Sequence, residues 1–178
     1  MAHSVAFLRG INVGGHTAKK ETLQQAFKEL GFSNVATYKQ SGNVVFDTPN
    51  TDEEDLPAKI EEKLKNTLGF DVPVFLRTIP ELKEIVAADH FRGQSTEGSS
   101  FLITFLNSKI LTFPIKLPAT IPKSQAQVIA AADREVFSVT YGGGEGALPN
   151  PYIEKTLKTK TTTRNQNIIK EITEKWNS

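Results

Sequence analysis

The chain has 178 residues, a length that suits one compact domain or two small subdomains. Hydrophobic residues make up 38% and include 11 Phe, enough apolar volume to exclude a disordered chain. The net charge of +1 excludes a global basic field, and the absence of Cys excludes disulfides, thiolate metal sites and a Cys nucleophile. With no signal-peptide pattern and no apolar run of about 18 residues, a soluble cytoplasmic protein without a membrane span is expected.

The chain begins with a predicted strand, a glycine loop and a helix. Ser4–Arg9 is mostly apolar, which is typical of a strand that is covered on both faces. The loop Gly10–Gly15 follows, and apolar residues at helical spacing predict a helix over Lys20–Leu30 with Thr17 as its N-cap. A strand, a loop and a helix N-terminus in this order are a common way to hold an anion.

The rest of the first half predicts a hairpin, a helix and a last strand. The predicted strands are Val35–Gln40, Asn43–Asp47 and Val72–Arg77, and the predicted helix is Leu56–Leu68 with Thr51 or Asp52 as its cap. The dipeptide Ser41-Gly42 predicts a two-residue turn, so the first two strands pair antiparallel. The order β-α-β-β-α-β is the ferredoxin-like pattern.

The second half predicts a similar order with an irregular middle. Its predicted elements are a helix over Pro80–Ala88, a linker over Phe91–Ser100, a strand over Ser100–Leu106, a hairpin of Gln127–Ala131 and Glu135–Tyr141 that turns at Asp133-Arg134, a flexible loop over Gly142–Gly146, a helix from Pro151 through Leu157, and a final helix over Asn165–Trp176. We predict an α+β fold of two ferredoxin-like (βαββαβ-type) subdomains with antiparallel sheets and a C-terminal helix. The predicted ranges are 1–78 and 100–178, joined by a helix and linker over 79–99.

The first stretch that indicates chemistry is the glycine loop. From Gly10 to Thr17 its spacing nearly fits a P-loop, with His16 where the phosphate-binding Lys belongs and Asp47 as a candidate magnesium ligand. A neutral His and an antiparallel hairpin both disfavour a Walker ATPase. Two interpretations stay open: an anion site, or glycines that only allow a tight turn.

Two further stretches are polar. The hairpin tip carries Tyr38, Gln40, Ser41 and Asn43, which suits either a polar ligand or a solvated turn. The range 155–164 has four positive charges and no acid. With Thr162 or Thr163 as N-cap, Arg164 and Asn165 would lie in the first helical turn, where a cation opposes the helix dipole. A bound anion would account for Arg164, and a solvated basic face is the alternative.

Three ordered blocks resemble the DUF1697 family: Leu8–Gly15, Thr37–Phe46 and Thr162–Asn165. The resemblance implies a small bacterial-type cytosolic α+β protein built from ferredoxin-like halves. The family is named for its unknown function, so the resemblance implies a fold and a location and no activity. Two positions differ from the usual family pattern: Gln166 stands where Trp is usual, and His16 stands where Lys is frequent.

Our leading hypothesis is a protein that binds an anionic small molecule or a nucleotide, with a phosphate or carboxylate as the recognised group. The hypothetical ligand-binding residues are Arg9, Asn12, Gly14, Gly15, Tyr38, Gln40, Ser41, Asn43, Thr163, Arg164 and Asn165. The sequence indicates no cofactor, no metal site and no membrane partner. The alternatives are a nucleic-acid-binding module that uses the basic range 155–164, and an interaction domain without a ligand. Whether the protein is an enzyme does not follow from the sequence.

Overall fold

The computed structural model describes residues 2–39, 42–49, 54–142 and 148–177. Within these residues it contains two antiparallel sheets and five helices, which confirms the predicted α+β class. The chain forms two compact units: residues 1–83 with 172–178, and residues 84–171. The predicted division at 1–78, 79–99 and 100–178 stays a prediction. No helix in the described part of the chain has the length and apolar character needed to cross a membrane.

The first unit is built on a four-stranded sheet. Its strands are β1 (Ala2–Leu8), β2 (Ser33–Thr37), β3 (Asn43–Thr48) and β4 (Val74–Thr78). They lie in the order β2-β3-β1-β4, with antiparallel pairing throughout. The first two helices are α1 (Lys20–Glu29), between β1 and β2, and α2 (Leu56–Leu68), between β3 and β4. The element order up to β4 is therefore the β-α-β-β-α-β that the sequence predicts.

Both faces of this sheet are buried. On one face, Phe27 of α1 and Ile60 of α2 share a core with Phe46 of β3, and the rings of Phe27 and Phe46 lie 5.2 Å apart. On the opposite face, Val5 and Phe75 are also fully buried. Each such side chain contributes roughly 1.5–3 kcal/mol of hydrophobic stabilisation. The two-sided burial of β1 confirms the interpretation of its continuous apolar run.

The two helix-cap predictions in the first unit are wrong. The N-cap of α1 is Lys19 instead of Thr17, and the N-cap of α2 is Asp55; the predicted caps Thr51 and Asp52 lie outside the described residues. The amide of Tyr38 donates to Asn43 O over 2.8 Å, so the hairpin closes there. The predicted two-residue turn, Ser41-Gly42, falls partly outside the described residues, because Ser41 is not among them.

The second unit is built on a five-stranded sheet. Its strands are β5 (Ser100–Phe105), β6 (Ala119–Thr120), β7 (Ala126–Ala132), β8 (Glu135–Thr140) and β9 (Thr162–Asn165), in the order β6-β7-β8-β5-β9. The remaining helices are α3 (Ile79–Ala88), α4 (Asn150–Leu157) and α5 (Gln166–Lys175). The hairpin of β7 and β8 turns at residues 133–134, as predicted.

The sequence analysis missed strands β6 and β9. Strand β9 pairs antiparallel with β5, with Arg164 opposite Ile103. The prediction that Arg164 and Asn165 open the last helix is therefore wrong, because both lie in a strand and α5 begins at Gln166. The β-branched threonines of this strand fit a pleated, half-buried surface better than they fit a helix.

The central strand β8 carries two buried hydroxyl groups. Among the described residues, Ser138 Oγ and Thr140 Oγ1 are buried without a hydrogen-bond partner. The neighbouring strand β5 offers a contrast, because the fully buried Thr104 shares a 2.7 Å hydrogen bond between its Oγ1 and Thr163 Oγ1. A buried polar group without a partner loses its hydration and gains nothing in return.

We therefore expect Ser138→Ala to raise the free energy of unfolding by about 1 kcal/mol, and the Tm by about 2–4 °C, because it removes an unpaired hydroxyl. Thr104→Val is the matched control in the same sheet. It leaves the hydroxyl of Thr163 without this partner, so it should lower the Tm. Thermal unfolding followed by circular dichroism measures both, and an equal loss in the two variants would contradict the assignment.

Candidate functional site

Strand pairing brings two of the three polar blocks together at one end of the first sheet. Phe7 of β1 lies opposite Asn43 of β3, and Leu8 N donates to Gly42 O over 2.8 Å. The next amide, Arg9 N, donates over 3.0 Å to the carbonyl oxygen of Pro73, the residue just before β4, which lies on the opposite side of β1 from β3. Because side chains alternate across a strand, we expect the half-buried Arg9 on the face of Phe7 and Asn43.

The glycine loop after Arg9 forms a tight turn. His16 N donates to Val13 O over 3.1 Å, and Asn12 N donates to His16 O over 2.7 Å. Gly14 and Gly15 occupy the two central positions with φ of +60° and +87°. Positive φ at both positions is the requirement of a type I′ turn, which glycine meets without steric strain. The turn thus accounts for both glycines, and the bonded amides of Asn12 and His16 already have partners within the loop.

Two of the predicted ligand-binding amides hold the loops in shape. Asn12 Oδ1 accepts a hydrogen bond of 3.1 Å from Ala18 N and ties the loop to the chain just before α1. Asn43, which is buried, donates from Nδ2 to Tyr38 O over 2.9 Å and closes the hairpin connection. Both side chains therefore have a structural role that sequence reasoning did not predict.

Tyr38 lies in a cluster of aromatic rings and lysines that the sequence analysis missed. Its ring meets Trp176 edge to face, with centroids 5.6 Å apart. Lys39 Nζ lies 5.6 Å and Lys175 Nζ 5.4 Å from the centroid of Tyr38, and Lys175 Nζ lies 5.1 Å from that of Trp176. Each exposed cation–π contact contributes about 0.5–1 kcal/mol. The signal in the sequence was two dipeptides, Tyr38-Lys39 and Lys175-Trp176, which each place a cation beside an aromatic ring.

Lys39 has a backbone conformation that is unusual for its residue type. Its φ of +43° falls in the left-handed region, which costs a residue with a Cβ about 1–2 kcal/mol. The next two residues, Gln40 and Ser41, were both predicted to contact a ligand, and they lie outside the described residues. Lys39 is therefore the last described residue before Gln40.

In the second unit, Arg164 turns back on its own strand. Its Nη1 donates to Thr162 Oγ1 and to Thr163 O, both over 2.9 Å. Burial lowers the pKa of the Arg164 guanidinium to about 10, so the side chain remains a cation at pH 7. The predicted conflict between Arg164 and the helix dipole does not arise, because Arg164 lies in β9 and not in the first turn of α5.

The neighbouring Asn165 is the residue that caps α5. Its Oδ1 accepts a hydrogen bond of 2.9 Å from Asn167 N, which is one of the amides that a helix start leaves without an intrahelical partner. The prediction of Thr162 or Thr163 as the cap is therefore wrong. Thr163 instead shares its hydroxyl with Thr104 of β5.

Asp47, the candidate magnesium ligand of the P-loop interpretation, is buried and has protein partners. Its Oδ1 is hydrogen-bonded to Nδ1 of His3, and its Oδ2 accepts a hydrogen bond of 2.7 Å from Asn34 Nδ2. The antiparallel pairing of β1 and β3 also differs from the parallel strands of a P-loop fold. Among the described residues, no three His, Asp or Glu side chains are grouped closely enough to hold a metal ion.

The fold defines an α+β protein with two antiparallel sheets, and comparison with known proteins specifies its family. The chain belongs to the DUF1697 family, described as a protein of unknown function, whose model matches residues 1–137. The blocks Leu8–Gly15 and Thr37–Phe46 lie inside that match, and Thr162–Asn165 lies beyond it. The family description names no activity.

A solved structure supports the fold over the whole chain. It is the structure of the conserved bacterial protein SP0830 from Streptococcus pneumoniae, with a TM-score of 0.69 and 17% sequence identity. The similarity covers 100% of this chain and 99% of that protein. A search of curated proteins gives no match. At this identity, the likeness to SP0830 establishes the shared fold alone.

We expect Asn165→Ala to lower the free energy of unfolding by about 1 kcal/mol, and the Tm by about 2–4 °C, because the amide of Asn167 loses its acceptor. Asn165→Asp is the matched control, since Asp is an equally good N-cap and should keep the Tm. Chemical denaturation gives both free energies. An equal loss in the Ala and Asp variants would show that Asn165 stabilises the fold in some other way.

Proposed function

We propose that the protein binds an anionic small molecule, recognised through a phosphate or carboxylate, at the end of the first sheet where Arg9 follows β1 beside Gly42. The hydrogen bond from Leu8 N to Gly42 O carries this proposal, because it joins two polar blocks that are more than thirty positions apart in the sequence. Loops gathered at the end of a rigid sheet are a common location for ligand sites.

The chemistry of this end of the sheet favours an anion. A guanidinium group binds phosphate and carboxylate with two parallel hydrogen bonds, so Arg9 is the residue best suited to the charged group. Lys39 and Lys175 are both exposed and add two positive charges beside Tyr38. Positive charge that is gathered on one surface attracts anionic ligands and raises their rate of association.

The loops that frame the site are held in place by their own side chains. Asn12 fixes the glycine loop, and Asn43 fixes the backbone at Tyr38. Loops that are ordered before binding lose less conformational entropy when a ligand arrives. In this proposal, Gly14 and Gly15 form the exposed rim of the site, and Gln40 and Ser41 supply further polar contacts.

The third block contributes separately, within the second unit. There Arg164, with Thr163 and Asn165, offers a second contact for an anion, but these three side chains already have the partners described above. The proposal therefore rests on the first unit. A nucleic-acid-binding role for the range 155–164 is less well supported, because Arg164 turns inward and leaves three exposed lysines as the basic surface.

We also propose that the first unit is a ferredoxin-like subdomain, on the basis of its element order and its strand order β2-β3-β1-β4. For the second unit we keep the broader α+β description, since its described residues between β5 and β6 form no helix. A cytoplasmic location in a bacterium is part of this proposal and rests on the family resemblance.

The proposal is tested by thermal shift with inorganic phosphate, pyrophosphate and citrate. At a hundredfold excess over Kd, a bound anion should add about 2.7 kcal/mol to the free energy of unfolding, or roughly 5–10 °C in Tm. We expect Arg9→Gln to weaken this binding about tenfold or more, because a hydrogen bond to a charged group contributes about 1.5–3 kcal/mol.

Arg92→Gln is the matched control, since the side chain of Arg92 is 84% exposed, pairs with Asp89 and belongs to the second unit. It should leave the shift unchanged. The proposal is wrong if none of the three anions shifts the Tm, or if the shift is the same in wild-type protein and Arg9→Gln.

A further inference from the structure

We infer that the ligand of this site is a nucleotide, with its base against the aromatic rings of Tyr38 and Trp176 and its phosphate on the surrounding cations. This inference rests on the proposed function and specifies its ligand. The defining observation is the contact of two aromatic rings and two lysines in the first unit, at the sheet end where Arg9 lies.

The two rings provide a surface for a planar group. Tyr38 directly follows β2, Trp176 directly follows α5, and both side chains are half-buried. Half-burial holds each ring in place and leaves part of it accessible to a ligand. Aromatic side chains held in this way bind nucleobases by stacking, and they tolerate any base because every base has a π-face.

The two lysines make the surface selective for an anion. Their ammonium groups lie 5.6 Å and 5.4 Å from the centroid of the same ring, that of Tyr38. Two positive charges near one ring create a positive potential that attracts a ligand with negative charge. A ligand that combines a planar ring with negative charge therefore fits this cluster better than an uncharged aromatic molecule does.

The spacing along the sheet fits such a ligand. Tyr38 pairs with Asn43 of β3, and Asn43 pairs with Phe7 of β1, so the backbone near Arg9 lies two strands away from Tyr38. Two strand spacings are about 10 Å. A nucleotide bridges this interval through its sugar, with the base at Tyr38 and the phosphate toward Arg9.

The backbone of Lys39 gives independent support. A lysine with a φ of +43° holds a conformation that glycine or asparagine adopts more readily. Residues kept in such a conformation cluster at ligand-binding sites, where the side chain is needed and the surrounding structure holds the strain. The lysine side chain at this position therefore points to a role beyond the turn itself.

The test is a fluorescence titration of the full-length protein with AMP. Trp176 is the single tryptophan of the chain, so its emission reports on this cluster alone. AMP should change the emission in a saturable way and bind at least tenfold more tightly than adenosine or inorganic phosphate, which carry only one half of the recognised chemistry. Repeating the titration with the other nucleoside monophosphates should give similar affinities, because stacking tolerates every base.

Variants of the lysines connect the signal to the cluster. The double variant Lys39→Gln with Lys175→Gln should weaken AMP binding at least tenfold. Lys28→Gln is the matched control: Lys28 is an exposed lysine on α1, and its removal should change the affinity less than twofold. Lys39→Gly should keep or raise the Tm while it weakens AMP binding, a combination that a purely structural lysine would not produce.

The outcomes separate this inference from the proposed function. If phosphate or pyrophosphate shifts the Tm in an Arg9-dependent way and AMP binds no more tightly than phosphate, the nucleotide inference is wrong and the anion-binding function stands. If AMP and the three test anions all leave both the Tm and the Trp176 emission unchanged, both are wrong.

Discussion

The antiparallel pairing of β1 with β3 is the constraint on which the rest of the first unit depends. It joins segments that are about forty positions apart, places Phe7 opposite Asn43, and ends with the bond from Leu8 N to Gly42 O. Since β1 lies between β3 and β4 and is buried on both faces, its register leaves little freedom. A shift by one residue would exchange the faces of every side chain and separate Arg9 from the hairpin connection.

The polar residues of the family blocks divide into two groups. Asn12, Asn43 and Asn165 each form a hydrogen bond that fixes a loop or caps a helix, so their side-chain types follow from local geometry. Gly14 and Gly15 are explained in the same way by their positive φ. Arg9, Tyr38 and Lys39 are the residues of these blocks on which the proposed anion site depends, and Lys175 and Trp176, from outside the blocks, contact the ring of Tyr38.

The backbone conformation and the contact with Tyr38 favour different residues at position 39. A glycine would fit the backbone with φ above zero, whereas the lysine brings a cation to the ring of Tyr38. Lys175 adds a second cation to the same ring. Backbone strain of this kind recurs at ligand-binding sites, which is consistent with the proposed role of Lys39.

The sequence by itself determined the position of those elements that show a continuous apolar run, a regular spacing of apolar residues or a clear turn dipeptide. Continuous apolar runs located β1 and β5, helical spacing located α1 and α2, and the dipeptide Asp133-Arg134 located the turn between β7 and β8. Strand β9 was not predictable, because four polar residues form a strand only when β5 offers a partner edge. The helix caps and the cation–aromatic cluster were also decided by the tertiary structure. A cap depends on where the chain leaves the preceding strand, and the contact of Tyr38 with Trp176 joins residues that no sequence period relates.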